Sequence, residues 1–197
     1  MIRHNFTMKK FSFILCAIIV CVLSGCTAQG DQSQQSSTID TSSWKIYTNE
    51  SGKFSLLMPG VPTESTSTQE TDLGQMTTHN FALKARQEGH TAAYLISYSD
   101  YPAGSIAKMD VNQLMENMWE SGYKNLGDRL IYKKAAPWNN LPCIEFQYKG
   151  TGNSAFVITA RMLFVQDRNF LVSTVMLPDQ AREGYALKYL NSFQPSK

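Results

Sequence analysis

The residue with the clearest chemical assignment is Cys26, which ends the sequence Leu23-Ser24-Gly25-Cys26 near the amino terminus. This pattern is typical of a bacterial lipobox. The small side chains of Ser24 and Gly25 leave room for a peptidase at the bond before Cys26, whose thiol would carry a diacylglycerol. We therefore expect a mature chain that begins at a lipidated Cys26 and is held at a membrane by acyl chains such as palmitate.

The segment before Cys26, residues 1–25, has the parts of a secretory signal peptide. Its basic residues are Arg3, Lys9 and Lys10, and they precede an apolar run over residues 11–23. As a helix this run would be about 20 Å long, which is too short to span a hydrocarbon core of about 30 Å comfortably. The two compatible start sites are Met1 and Met8. The alternative is an ordinary cleaved signal peptide in which the cysteine stays unmodified.

Cys143 is the remaining candidate nucleophile. Cys16 and Cys21 leave with the signal peptide, so a thioether at Cys26 would exclude any internal disulfide. Cys143 shares a predicted strand face with Glu145, and a neighbouring carboxylate raises the pKa of a thiol instead of lowering it. We expect a semi-buried structural cysteine. The sequence also lacks the G-x-S-x-G, H-E-x-x-H, P-loop and G-x-G-x-x-G motifs, so no catalytic residue is assigned.

The histidines and paired glutamates of the sequence do not predict a metal site or an acid–base pair. A hairpin that turns near residues 88–89 would separate His79 from His90 by several residue pairs along the ladder. A zinc site needs three or four close ligands, so we expect neither a metal nor a cofactor. Glu116 and Glu120 lie four positions apart on a predicted helix, and we expect both to be solvated and not to form a catalytic pair.

Arg161 and a group of aromatic residues are the candidates for binding. Arg161 interrupts an otherwise apolar strand face. It either pairs with an acid such as Glu145 or anchors an anionic group in a shallow pocket. The aromatic candidates for binding a small ligand or a cell-wall glycan are Tyr94, Tyr98, Tyr101 and Trp138.

The charge balance argues against nucleic acid as a partner. The full chain has 18 basic and 16 acidic residues, and the signal peptide holds three of the basic and none of the acidic ones. The mature net charge is therefore −1, which gives no electrostatic case for binding nucleic acid. A small basic cluster is typical of a solvated face, and its members are Arg129, Lys133, Lys134 and Lys149.

The elements that must position these residues form one predicted domain, residues 44–197. The segment 26–43 comes before it and contains the lipidated cysteine and a tether. In this tether 12 of the residues 27–43 are Ser, Thr or Gln. Such a sequence cannot bury enough apolar surface to offset the entropy of ordering, so we expect it to be flexible. From Trp44 to Phe193, aromatic residues and alternating patterns continue without a break.

Alternating patterns predict an α+β fold with a mainly antiparallel sheet flanked by helices. The predicted strands cover residues 53–58, 74–87, 90–98, 129–133, 141–149, 154–165 and 170–177. The runs 74–87 and 90–98 meet at Glu88-Gly89, which predicts a hairpin. The run 154–165 is apolar at both alternate sets of positions, which is typical of a central strand covered on both faces.

Two helices are predicted. The first carries an apolar stripe at helical spacing, made of Val111, Leu114, Met115, Met118 and Trp119. Asp110 is placed to cap its start with Gln113 three residues on, and Gly122 is placed to end it. The stripe could offer soft thioether ligands to copper, but its spacing favours a buried core face. The second helix is predicted at 179–192, with Ala186, Tyr189, Leu190 and Phe193 on its buried side.

Four segments carry a family resemblance. Residues 54–62 (FSLLMPGVP) are similar to an F-x-V-x-F-P-G-x-P opening, and residues 94–102 (YLISYSDYP) to a strand pair with its following turn. Residues 160–172 (ARMLFVQDRNFLV) are similar to a late hairpin, and residues 191–193 (NSF) to the end of a last helix. In this order they resemble bacterial exported proteins of the PsbP/Mog1-like superfamily.

The resemblance implies an α-β-α sandwich and a role in binding. In that superfamily the PsbP branch sits on photosystem II, and Mog1 binds a small GTPase. No site residue of either branch can be matched to this chain.

We therefore expect a membrane-tethered, non-catalytic binding or assembly module that faces a periplasm, a lumen or the cell exterior. Its domain is expected to be monomeric and to bind a protein partner. One alternative is a lipoprotein that binds a small ligand or cell-wall glycan, and another is an enzyme of unrecognised type. A flat apolar surface would favour the first function, a deep polar pocket the second, and perturbed titratable groups in a cleft the third.

Overall fold

The computed structural model of the protein describes residues 41–71, 74–87, 90–135, 137–151, 156–182 and 184–196. The predicted signal peptide, Cys26 and most of the predicted tether lie outside these residues. So do the predicted turn at 88–89 and the first two residues of the predicted strand 154–165.

The described strands are β1 (Lys45–Asn49), β2 (Phe54–Met58), β3 (Thr63–Thr71), β4 (Gly74–Gln87), β5 (His90–Asp100), β6 (Leu130–Ala135), β7 (Cys143–Lys149), β8 (Val157–Val165), β9 (Arg168–Met176) and β10 (Gln194–Pro195). The helices are α1 (Val111–Tyr123), α2 (Pro178–Arg182) and α3 (Tyr185–Asn191), with 3-10 turns at Ile106–Lys108 and Lys124–Arg129.

The strands form two sheets in the described part of the chain. A three-stranded sheet has the order β1-β2-β10, and a seven-stranded sheet has the order β3-β4-β5-β9-β8-β7-β6. Every neighbouring pair is antiparallel, as expected for the strands that short links join in sequence. Gln87 pairs with His90, which confirms the predicted hairpin of β4 and β5. The fold is therefore mainly antiparallel sheet with few helices.

One face of the large sheet packs against the small sheet and α3, and we call it the double-sheet face; it carries Phe81, Tyr98 and Phe170. Phe54 of β2 lies at its centre with 1% of its surface exposed. The ring centroid of Phe54 lies 5.5 Å from that of Phe81 and 6.1 Å from that of Phe170, both in edge-to-face contact. The predicted buried side of the last helix, made of Ala186, Tyr189, Leu190 and Phe193, completes this core.

The opposite face, which we call the helix face, is partly covered by α1 and carries Asn80, Ser97 and Leu171. The predicted stripe residues Leu114, Met115, Met118 and Trp119 are buried there. The carboxylate of Asp110 accepts hydrogen bonds from the backbone N–H groups of Asn112 and Gln113, as a cap should. The side chain of Gln113 donates to Asn117 instead of returning to the start of the helix, so the capping is one-sided.

Both predicted helix ends need correction. The first helix passes Gly122 and continues to Tyr123, and the next residue, Lys124, keeps a right-handed conformation. The second predicted helix is broken into α2 and α3, because Gly184 adopts a φ of 86° between them. A positive φ interrupts a right-handed helix, and glycine tolerates it best.

Three strands were not predicted, namely β1, β3 and β10. The sequence of β3, TESTSTQET, has no apolar alternation because the strand lies at the edge of the sheet and is largely exposed. In contrast, β8 is buried at every position except Val165, which confirms that it is covered on both faces.

Candidate functional site

A groove opens on the helix face between α1 and the outer strands, and we call it the polar groove. In its floor Thr78 pairs with Ser99, and Asn80 pairs with Ser97, across β4 and β5. Since side chains alternate between the two faces of a strand, these four point to one face. The apolar wall comprises Met76, Met118, Tyr123, Met162 and Leu171. The groove is shallow, with a cavity volume of about 40 Å³.

The lining of the polar groove is uncharged. Thr78 Oγ1 and Ser99 Oγ lie 2.7 Å apart and share a hydrogen bond. Asn169 Nδ2 donates to the carbonyl oxygen of Leu163 over 3.2 Å. A hydroxyl offers one donor and two acceptor positions, so the half-buried Thr78 and Ser99 can bond a ligand as well as each other. The side chains of Asn80, Ser97 and Asn169 are buried beneath them. None of the described lining residues is Asp, Glu, Lys, Arg, His or Cys.

Arg161 lies on the double-sheet face beneath the end of α3, away from this groove. Its Nη2 atom is 2.5 Å from Glu145 Oε2 and also donates to Asn191 Oδ1 over 3.1 Å. Its Nη1 atom donates to the carbonyl oxygen of Leu190 over 3.2 Å. The structure therefore contains the ion pair with Glu145, which is the first of the two roles considered for Arg161. Only 5% of the Arg161 side chain is exposed, so the guanidinium is not presented to solvent.

Cys143 neighbours this ion pair and is fully buried. Burial raises the pKa of its thiol to about 12, while the charge of Arg161 lowers it and that of Glu145 raises it. The thiol is therefore protonated at neutral pH and is a poor nucleophile. It is more deeply buried than the predicted semi-buried position, in agreement with a structural role.

Glu145 also holds the edge strand β6. Its Oε1 atom accepts a hydrogen bond of 3.0 Å from the hydroxyl of Tyr132. Burial, the charge of Glu145 and this hydrogen bond raise the pKa of Tyr132 to about 12. The carboxylate is thus fully engaged in joining β6, β7 and β8.

The two mature histidines do not meet. His79 pairs with Tyr98, whereas His90 pairs with Gln87 at the other end of the same hairpin. Tyr98 and His90 are eight positions apart, roughly 27 Å along a strand at about 3.4 Å per residue. The imidazole of His79 stacks on the ring of Tyr98 with centroids 4.6 Å apart. The described residues contain no group of three or more His, Cys, Asp or Glu side chains able to hold a metal ion.

The four aromatic candidates do not form one surface. Tyr94 and Tyr98 are buried in the core of the double-sheet face, and Trp138 packs against that core from its margin. Tyr101 is buried in the core of the helix face, where its hydroxyl donates to Met118 Sδ over 3.7 Å. Burial raises the pKa of Tyr101 to about 12 and also raises that of Tyr94. Their rings act as core side chains.

Of the carboxylates and the basic cluster that were expected to be solvated, Glu116 and Lys133 need correction, whereas Lys134 and Lys149 are exposed as expected. Glu116 forms a salt bridge with Lys133, whose ammonium lies 4.0 Å from the ring centroid of Trp119. This contact ties α1 to the edge strand β6. Glu120 is exposed, as expected.

Sequence reasoning missed the residues of the polar groove. Thr78 and Asn80 alternate with His79 and Phe81 along β4, a pattern that is equally typical of an ordinary solvated face. The signal that distinguishes them is a run of small uncharged polar residues at matching positions of adjacent strands. That match depends on the strand register, which cannot be read from the sequence alone.

No helix in the described residues is long and apolar enough to cross a membrane. No family model matches the chain in sequence, and no curated protein matches it.

A comparison with solved structures finds similarity to the solution structure of cyanobacterial PsbP (CyanoP) from Synechocystis sp. PCC 6803. The similarity has a TM-score of 0.49 at 10% sequence identity and covers 83% of this chain and 98% of that one.

Proposed function

We propose that the protein is a membrane-tethered, non-catalytic binding or assembly module that works outside the cytoplasm. One contrast carries this proposal. The polar groove is lined only by uncharged side chains, whereas Cys143 and Arg161 are buried in structural contacts. General acid–base and nucleophilic catalysis need activated groups that face the substrate, and the described groove lining supplies none of the usual ones.

The membrane tether rests on the lipobox at Leu23-Ser24-Gly25-Cys26. Metabolic labelling with a clickable fatty acid should mark the wild-type protein and leave the Cys26→Ala variant unlabelled. Equal labelling of the two proteins would remove lipidation, and with it the argument for the compartment.

A protein partner is the occupant that we assign to the helix face. A photoreactive benzoylphenylalanine in place of Tyr123 puts the probe in the wall of the polar groove. The matched control replaces Tyr47, which is also partly buried but packs on the double-sheet core. We expect a discrete cross-linked adduct in the cell envelope from position 123 and none from position 47. Equal adducts from both positions would mean that the groove is not the binding surface.

The uncharged lining favours a second candidate function, the binding of a small polyhydroxylated ligand such as a cell-wall glycan. Hydroxyl and amide groups bond sugar hydroxyls, and an apolar wall accepts their C–H faces. Chitotetraose, an uncharged N-acetylglucosamine oligomer, is the probe. It should raise the Tm of the wild type, and the double variant Thr78→Val/Ser99→Ala should abolish that rise. No rise at saturating sugar would leave the protein partner as the only assigned occupant.

We also infer that the domain is a PsbP/Mog1-like α-β-α sandwich. In support, α1 and α3 pack on opposite faces of the large sheet, although the sheet β1-β2-β10 shares the layer of α3. An experimental structure in which both helices lie on one face would contradict this assignment.

A further inference from the structure

The outer edge of β3 is unusually regular for an exposed strand. β3 pairs with β4 along all nine of its residues without a bulge. In the sheet order it lies at one end, so its outward N–H and C=O groups meet no other strand within the described ranges. The side chains from Thr63 to Thr68 are all exposed.

The other sheet edges are protected, and β3 is not. At the opposite edge, β6 has a register shift between Leu130 and Tyr132, followed by Lys133 and Lys134. In the small sheet, the edge strand β10 has only two residues and ends in Pro195. The other edge strand of that sheet, β1, has only five residues and begins with Lys45. Bulges, lysines, prolines and short lengths are the usual devices that stop an edge from accepting another strand. β3 contains no lysine, arginine or proline, and its threonines favour extended backbone.

We propose that the outer edge of β3 is a strand-addition site for an extended, basic segment of a partner protein. This proposal rests on the proposed binding function and specifies its partner. Main-chain hydrogen bonds to β3 supply the affinity, and the charges of β3 select the sequence.

The charge of the edge sets the chemistry of the partner. Glu64 and Glu70 are the charged residues of β3, and both are exposed. They lie six positions apart, so they share one face of the strand. Glu64 Oε1 is 3.5 Å from His79 Nδ1, and Glu70 Oε1 accepts a hydrogen bond from Gln75. Neither carboxylate forms a salt bridge with lysine or arginine in the described part of the chain.

A second copy of this chain is a poor occupant of the same edge. Two β3 strands that pair antiparallel over their full length meet in a register centred on Ser67. That register places Glu64 opposite Glu70 twice, and like charges directly opposite each other destabilise a sheet. A partner strand with two basic residues six positions apart converts both repulsions into attractions.

The test uses the full lipidated chain in detergent micelles and two synthetic peptides. The first peptide, TKTVTVTKT, has lysines at its second and eighth positions, and the second peptide, TETVTVTET, has glutamates there. We expect the basic peptide to bind and to shift the NMR amide signals of β3, and the acidic peptide to bind about tenfold more weakly. Equal affinity for the two peptides, or no binding at about 1 mM, overturns the proposal.

Matched variants separate strand addition from general charge attraction. Glu64→Lys/Glu70→Lys should reverse the preference between the peptides, whereas Lys134→Glu at the opposite edge should leave it unchanged. Successive N–H groups along a strand point to opposite sides. One of the variants Thr66→Pro and Ser67→Pro therefore removes an outward donor, and it should abolish binding without changing the unfolding midpoint.

Two results would overturn the proposal at this stage. One is a preference that survives the double charge reversal, and the other is binding that survives both proline variants. The binding function itself has a separate readout: a cross-linked adduct at position 123 together with no peptide binding removes the β3 site alone.

Discussion

The two faces of the seven-stranded sheet are covered to different extents. On the double-sheet face, β1-β2-β10 and α3 close over an aromatic core around Phe54. On the helix face, α1 packs against β7 and β8, and the strands on the β3 side carry the floor of the polar groove. Seven strands at about 4.8 Å spacing are roughly 29 Å across, whereas a helix with its side chains is about 10–12 Å wide. One helix therefore cannot cover the whole face.

The side chains on the helix face differ between its covered and uncovered parts. Beneath α1 the sheet presents large apolar side chains such as Ile144, Phe146 and Ile158. Where α1 does not reach, the same face presents Thr78 and Ser99. Apolar side chains there would be exposed, so uncharged polar groups form the floor. An accessible surface thus arises on this sheet because one of its two covering layers is too narrow.

The largest expected effect tests the closed core of the double-sheet face. Phe54→Ala removes a fully buried ring with three edge-to-face partners, Phe81, Tyr98 and Phe170. We expect the free energy of unfolding to fall by about 3–5 kcal/mol, measured by urea denaturation. Val61→Ala is the control, because this side chain is 82% exposed and its loss should change stability by less than about 0.5 kcal/mol. A loss below about 1 kcal/mol at Phe54 would mean that this face is not closed.

The second effect tests the cover on the helix face. Leu114 belongs to the buried stripe of α1, and Leu114→Ala should destabilise the fold by about 2–3 kcal/mol, toward the lower end for buried leucines. The reason is that α1 borders an open groove, so neighbouring side chains can relax into it. A change below about 0.5 kcal/mol would show that α1 does not seal the sheet, and its apolar stripe would then become a partner surface.

The third effect is a pH dependence that belongs to the double-sheet face. The pKa of Cys143 is raised from 9.0 to about 12, so from pH 9 upward the unfolded chain loses a proton that the folded chain keeps. Its contribution to stability is complete below pH 9 and is lost as the pH rises, by at most about 1.4 kcal/mol per pH unit. Tyrosines also titrate above pH 10, so the clearest window is pH 9–10. Cys143→Ala should flatten the slope there, and an unchanged slope would contradict the buried thiol.

The smallest effects compare two threonines, one on each face. Thr78 shares its hydrogen bond with Ser99 in the groove, so Thr78→Val should cost only about 0.5–1 kcal/mol. Thr174 is fully buried against the double-sheet core, and its Oγ1 atom has no hydrogen-bond partner among the described residues. Removing this hydroxyl with Thr174→Val should be neutral or stabilising by up to about 1 kcal/mol. Thermal unfolding of both variants measures the difference, and a shift of the same sign in both would remove the distinction between the faces.

Much of the fold could be predicted because apolar residues repeat with the period of the element they occupy. The stripe of α1 and the two-sided pattern of β8 both identify buried elements correctly. The prediction failed where this repeat is absent, as in β3, whose edge position leaves no buried face for it. It also failed at Gly184, because a helical apolar pattern continues across a residue whose backbone interrupts the helix.

The sequence by itself determined the lipobox expectation, the near-neutral charge and the antiparallel pairing of consecutive strands, since these depend on composition or on residues close together in the chain. Only the tertiary structure decided between the two roles considered for Arg161, because Leu190 and Asn191, which also bond its guanidinium, come from a distant part of the chain. It also decided how deeply Cys143 is buried and where the molecule is open. The polar groove and the free edge of β3 depend on which strands a single helix covers and which strand comes last in the sheet, and strand order is a property of long-range packing.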